Sequence, residues 1–194
     1  MMRLWLNWIE RQPTELKVGG SIPPRRTNLV PSTEYWVPNR MGKIDEIYMS
    51  EALKEAGQAA EEDEVPVGCV IVYKRKIIAR GHNQVERLKD PTAHAEMLAL
   101  TSATNYLGNK WLSGASIYVT IEPCSMCAGA LVLSRIKNLI YGAADPKTGA
   151  CGSVTNIIDN KKLNHRIQVK KGVLEKECSS LLKEFFRKKR KKFS

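Results

Sequence analysis

A chain of 194 residues with 43% hydrophobic content is long enough for one folded domain with a sizeable core. Its longest apolar runs, such as Ala128 to Leu133, fall far short of the roughly 20 residues that cross a bilayer, which predicts a soluble protein without a membrane span. The net charge of +11 is unevenly placed: Lys183 to Ser194 holds seven basic residues and one acidic, and Met1 to Arg40 six and three.

Residues 1–40 differ in character from the rest of the chain. "GGSIPPRRTNLVPSTEYWVPNR" is rich in Gly, Pro and Ser/Thr and carries neither helical nor alternating periodicity, so a disordered leader is expected there. Its three glutamates argue against a transit peptide, and it lacks the pattern of a secretory signal. Patterned sequence begins at Met41, which makes Met41 a candidate natural start. An intact mass of the natural protein that retains the leader would overturn that expectation.

From Ile44 onward, Ile47, Tyr48, Ala52, Ala56 and Ala59 recur at helical spacing, and "EEDE" closes the helix on a charged turn. "VPVGCVIVY" and "IIARG", separated by "KRK", predict two β-branched strands in a hairpin. Asp90, Pro91 and Thr92 supply start signals for a second helix, through about Thr104. "ASIYVTI" predicts a third strand, "CSMCAGALVLS" a helix, and "IKNLIYGA" a fourth strand. A Gly-rich loop, a candidate fifth strand "RIQVKKG" and a helix from about Leu174 to Lys188 complete the chain. Strands alternating with helices imply an α/β sandwich around a central sheet, and no internal repeat is visible.

His94 falls at the start of the second helix, and Cys124 and Cys127 at the start of the third. Cysteines at i and i+3 share one helical face, so both sulfurs can reach one metal ion. Imidazole and thiolate suit Zn2+, and three protein ligands leave a fourth position open for water, the mark of a catalytic rather than a structural site. Glu96, two residues from His94, can move protons between that water and a leaving amine without binding the metal. Taken alone, "HAE" fits a helix start as well as it fits chemistry. A lone CxxC is also a redox pair or half of a structural zinc site. No second CxxC completes a four-sulfur site here, so the combined pattern "HAE" then "PCSMC" favours catalysis. An odd number of cysteines, five, two of them in that tight pair, favours a reducing compartment.

These two motifs resemble the signature of the zinc-dependent cytidine/deoxycytidylate deaminase superfamily. "VPVGCVIV", "DPTAHAEMLAL", "YVTIEPCSMCAGA", "YGAADPKTGACGS" and "LLKEFFRKKR" are most similar to its bacterial-type tRNA-specific adenosine deaminases, from Met41 to about Arg190. The resemblance implies a three-layer α/β/α cytidine-deaminase-like fold with a mixed five-stranded sheet, spanning residues 41–187 ahead of a basic tail, 188–194. It implies hydrolysis of adenosine to inosine at the wobble position, 34, of a tRNA anticodon, in an arginine tRNA. One Zn2+ per subunit would sit on His94, Cys124 and Cys127, with Glu96 as proton shuttle. Asn83 and the Ala95 backbone N–H would contact the base, Asp145 and Lys147 the RNA path, and Phe185, Arg187 and Arg190 the RNA from the last helix. A cytoplasmic homodimer acting on the tRNA anticodon stem-loop completes the expectation.

Several of these residues have plainer uses. Asn83 fits a turn after a strand, Asp145 and Lys147 fit a surface loop, and the basic tail fits a solvated helix end with its phenylalanines packed. His82, His165, Cys69, Cys151 and Cys178 are expected to be structural, and Glu122 to make a supporting hydrogen bond. Two rival functions stay open on the sequence. A deaminase of free bases or nucleotides would share the core but has no need of "FFRKKRKK". A noncatalytic zinc-bearing RNA-binding module has no need of Glu96.

Overall fold

The computed structural model describes residues 40–192, with side chains from Lys43 to Lys191. The leader expected over residues 1–40 lies outside them apart from Arg40, which opens the first helix.

Helix α1 (Arg40–Glu61) buries Met49, Ala52, Ala56 and Ala59 in one stripe. Ile47 is 59% exposed, so the stripe begins at the half-buried Tyr48, which packs beside Tyr118, rather than at the Ile47 expected from spacing. The "EEDE" turn is also not uniformly a surface feature, because its last residue, Glu64, is buried. Strands β1 (Gly68–Tyr73) and β2 (Lys76–His82) form the expected hairpin, with Tyr73 opposite Lys76. Lys74 and Arg75 make its turn at φ 47° and 64°. Both lie in the left-handed region that a two-residue type I′ turn requires, without the Asn or Gly that usually announces one.

A four-residue helix, α2 (Val85–Leu88), comes after the hairpin. Residues Asp90 to Thr92 then form a side-chain-closed turn, in which the Asp90 carboxylate accepts the Thr92 N–H and hydroxyl, each at 2.7 Å. Those start signals therefore build a turn, and α3 (Ala95–Leu107) begins only after it, with His94 as N-cap. Gly108, at φ 60°, ends α3 three residues beyond Thr104. Strand β3 (Ser116–Ile121), helix α4 (Ser125–Leu133) and strand β4 (Asn138–Ala143) come next. The last elements are β5 (Gln168–Lys171), a short exposed strand, and α5 (Glu175–Lys192), which continues four residues past Lys188.

The sheet order is β2-β1-β3-β4-β5, antiparallel across β2/β1/β3 and parallel across β3/β4/β5. Alternation sends Cys69, Ile71, Ile117 and Val119 to one face, where they pack with Ala95, Ala99 and Ala128 of α3 and α4. Val70, Val72, Tyr118 and Ile140 face the other way, against Met49 and Ala52 of α1 and Cys178 of α5. Helices on both faces of a mixed five-stranded sheet make the expected three-layer α/β/α architecture. Truncating a wholly buried side chain such as Leu131 or Ile117 to Ala would cost about 2–5 kcal/mol. Strands β2, β3 and β4 all end at the same edge of the sheet, where α3 and α4 begin.

Candidate active site

At that edge, the chain enters two helices through potential metal ligands. His94 is the N-cap of α3 and Cys124 the N-cap of α4, with Cys127 in the first turn of α4. His94 and Cys124 sit at the N-caps rather than one residue inside the helices, which leaves first-turn N–H groups and the positive end of each dipole beside the ligands. Nδ1 of His94 lies 3.5 Å from the Cys127 sulfur and 3.7 Å from that of Cys124. The three donor atoms lie within 4.8 Å of one another. Tetrahedral zinc with ordinary bond lengths needs a nitrogen–sulfur separation of about 3.6 Å, so this donor set fits that ion in chemistry and in spacing.

The electrostatics agree. Hydrogen bonds from Cys127 and His94 bring the Cys124 thiol down to about 3, while the bond to Cys124, together with burial, pushes Cys127 up. The same contact with Cys124 raises His94. Two sulfurs and an imidazole nitrogen drawn together at two helix N-termini are the donor types that zinc takes. Glu96 is 3% exposed, and burial foremost pushes its carboxyl above the usual 4.5. Its position depends on Gly81 of β2, where a Cβ would come within 2.5 Å of the Ala95 carbonyl oxygen. Glycine there lets α3 lie directly on the strand.

His94, Glu96 and Cys124 open onto a cavity of about 700 Å³. Asn83, at the end of β2, lines it from one side; Asp145 and Lys147, on the loop after β4, line it from the other. The Ala95 N–H belongs to the first turn of α3, where the helix supplies no acceptor. Asp145 spends its carboxylate on its own loop, accepting the Lys147 and Thr148 N–H groups and the Thr148 hydroxyl. Burial acts upward on that carboxyl, but these bonds prevail and hold it below the usual range. From α5, Phe186 lines the cavity, whereas Phe185 lines a neighbouring hollow and has the Lys189 ammonium 5.4 Å above its ring. Arg187 and Arg190 are exposed further along α5 and do not line the cavity.

Two buried carboxylates hold the walls. Glu122 accepts N–H groups of Asp145 at 3.2 Å, Cys151 at 2.9 Å and Ser153 at 3.0 Å, as well as the Ser153 hydroxyl. It fastens the whole loop, well beyond the single supporting bond expected. Gly149 makes room for it, since a Cβ there would lie 2.5 Å from the Glu122 carboxyl carbon. On the opposite side, Glu64 accepts the Asn83 side-chain amide at 3.1 Å and the Arg87 N–H at 2.7 Å. Sequence reasoning missed Glu64, and it left open whether Phe185 or Phe186 would stack. The only signal for Glu64 was one acid directly before an apolar strand. Of the residues expected to be structural, His165 bonds the Ile136 carbonyl at 2.6 Å, and Cys69, Cys151 and Cys178 are buried free thiols.

Paired helix N-termini carrying metal-type ligands, with a desolvated glutamate just inside, place this chain in the deaminase class with a cytidine-deaminase-like fold. A profile of the MafB19-like deaminase family matches residues 44–190. The tRNA-specific adenosine deaminase of Bacillus subtilis (strain 168) is 51% identical over 148 residues, 76% of this chain and 92% of its own length. The protein of the same name from Aquifex aeolicus (strain VF5) is 53% identical over 148 residues, again 76% of this chain and 96% of its own. The chain therefore belongs to the tRNA-specific adenosine deaminase family. A solved structure from a study of A-to-I editing by tRNA:A34 deaminases is 43% identical, with a TM-score of 0.68 over 70% of this chain and 99% of that one. A guanine deaminase from Nitrosomonas europaea is 22% identical, with a TM-score of 0.63 over 82% of this chain and 98% of that one, and shares the fold.

Proposed function

We propose that this protein converts adenosine to inosine at the wobble position, 34, of a tRNA anticodon, in an arginine tRNA. The observation that carries the reading is the His94/Cys124/Cys127 donor set and the buried Glu96 opening on one cavity. The relatives supply the substrate class, because two at about half identity are named for adenosine in tRNA. His94, Cys124 and Cys127 would hold zinc, which when bound supplies Lewis-acid activation of water.

The remaining work falls to the chain. Water adds to C6 of the adenine, the bond from C6 to its amino group breaks, and ammonia leaves as inosine forms. Glu96 takes a proton from the attacking water and delivers it to the departing amine. Its raised pKa brings the carboxyl closer to working pH, where a group that must both accept and donate is most effective. Asn83 and the Ala95 N–H orient the base. An unpaired anticodon-loop base enters such a cavity more readily than one held in a duplex. Asp145 and Lys147 line the RNA path, and Phe185, Arg187 and Arg190 of α5 grip the backbone and neighbouring bases.

In this reading residues 41–187 form the deaminase domain and 188–194 carry a basic tail, of which residues 188–192 are the end of α5. The protein works in the cytoplasm as a homodimer. Exposed Leu133 and Trp111 support pairing, for they lie in adjacent segments joined by the bond from the Leu112 N–H to the Ser134 carbonyl at 2.7 Å. The described residues contain no helix long and apolar enough to cross a membrane.

The test is inosine formation at position 34 of an arginine tRNA transcript, with wild type beside Glu96→Ala. Inosine from wild type, and a loss of roughly 10²–10⁴-fold in the variant with its zinc retained, is the expected result. Equal rates on free adenosine or another free base would move the protein to the small-molecule deaminases. A wild type that binds RNA and zinc without making inosine would make it a binding module.

A further inference from the structure

Glu64 is 1% exposed, and no step of the deamination uses it. A carboxylate so far from water is costly to keep unless its oxygens are bonded, and both are. Oε2 accepts the side-chain amide of Asn83 at 3.1 Å, and Oε1 accepts the backbone N–H of Arg87 at 2.7 Å. These partners sit on opposite sides of the α2 start. Gln84, the N-cap of α2, makes no side-chain capping bond, so Glu64 supplies from outside the acceptor that this four-residue helix lacks. Val85 and Glu86 of α2 line the cavity, as do Asn83 and Glu64 itself.

We propose that Glu64 is a positioning residue that fixes which end of the Asn83 amide meets the base. The proposal rests on the reading of this protein as a tRNA adenosine deaminase. Both Glu64 oxygens face N–H donors, and Oε2 takes Nδ2 of Asn83, which leaves Oδ1 as the acceptor end of the amide toward the cavity. An amide free to rotate would offer donor and acceptor interchangeably and discriminate poorly between an amino-bearing and a keto-bearing purine edge. Glu64 removes that freedom and, through Arg87, ties it to the wall formed by α2.

Glu64→Gln tests this with almost no change in volume. A glutamine has one acceptor oxygen, which cannot serve both the Arg87 N–H and the Asn83 amide. The least disruptive response is a half-turn of the Asn83 amide, which exchanges donor for acceptor at the base. The expected result is a fall of about tenfold in kcat/KM for inosine formation, with zinc content and melting midpoint close to wild type. In an Asn83→Ala background the same substitution should change kcat/KM by less than about twofold, because the group it acts through is gone.

A purely structural Glu64 would reduce both backgrounds by the same factor, and that result overturns the proposal. So does an unchanged rate for Glu64→Gln in the otherwise native chain. Glu64→Asp, which keeps the charge but shortens the arm by one methylene, is the second variant and should show the same dependence on Asn83. A wild type that makes no inosine removes the functional reading and this inference with it. A wild type that makes inosine while Glu64→Gln and Glu64→Asp match it removes this inference alone.

Discussion

The N-terminal ends of α3 and α4 and one face of α5, through Ser179, Leu182, Lys183 and Phe186, reach the same cavity by different means. Where α3 and α4 enter, small residues bring backbone onto backbone: Ala95, Ala99 and Ala103 are buried on the sheet, and Gly81 leaves no room for a Cβ. A helix packed that closely cannot shift by a fraction of an ångström without repacking its neighbours. α5 is anchored at its start by buried Cys178, and from Lys183 on it presents mostly exposed cations. The first region fixes atoms for chemistry; the second, in the proposed reading, sets a positive field for a polyanion. Substitutions should therefore act as a switch in one region and as a graded, salt-dependent effect in the other.

The sharpest way to break this contrast is through Cys127, buried beneath the cavity. Cys127→Ala should abolish inosine formation and leave the protein without stoichiometric zinc, as read by metal analysis. Treatment of wild type with a chelator should do the same reversibly, with activity and metal content returning together on zinc addition. A Cys127→Ala protein that kept both would show that His94 and Cys124 suffice, and the rigid description of the α4 start would fail.

Glu122 should give the next largest effect, and it sharpens the comparison because it joins the rigid region to the loop that lines the far side of the cavity. Each Glu122 oxygen accepts two of the four donors, so Glu122→Gln turns an amide NH2 onto two of them, at a cost on the order of 2–3 kcal/mol in denaturant unfolding. Burial acts on its carboxyl in the upward direction, yet the bonds from Ser153, Cys151 and Asp145 outweigh it and leave the group below the usual 4.5. A depressed folded value means that the unfolded chain binds the proton more tightly. The stability Glu122 contributes is then complete above the unfolded value and is lost as pH falls through the folded one. Acid titration of stability should be steeper for wild type than for Glu122→Gln below about pH 4.5. Parallel curves would mean that the loop is not held by the ionised carboxylate.

How much could be read in advance divides along the same line. The metal cluster was legible because its parts sit in short motifs whose spacing is itself the geometry: His94 and Glu96 two apart, Cys124 and Cys127 three apart. The layers were legible because alternation and helical spacing report burial directly. The bond from Glu64 to Asn83 spans 19 residues and that from Glu122 to Ser153 spans 31, and no local pattern marks either pair. Short α2 escaped for a related reason, since it depends on an acceptor supplied from another segment. Ile47 was assigned to the wrong face because a regular helix offers two overlapping apolar stripes, and only the sheet decides which is used. The choice between Phe185 and Phe186 at the cavity is likewise set by how α5 is docked, not by the sequence of α5.

The smallest effects belong to the exposed end of α5, and there the distinction between switch and field can be measured directly. Arg187 and Arg190 stand on a helix whose neighbours include Lys188, Lys189 and Lys191, so removing one cation leaves most of the local potential in place. In the proposed reading each arginine would contribute through phosphate contact and counterion release, a contribution made before and during the chemical step alike. Arg187→Ala and Arg190→Ala should each raise KM for tRNA by roughly threefold, leave kcat unchanged, and reduce the salt slope of binding by about one. The double variant should be close to the product of the singles, because the two side chains act on different phosphates. Should either change lower kcat with KM unmoved, α5 would be acting on the reacting base, and its end would belong with the rigid region after all.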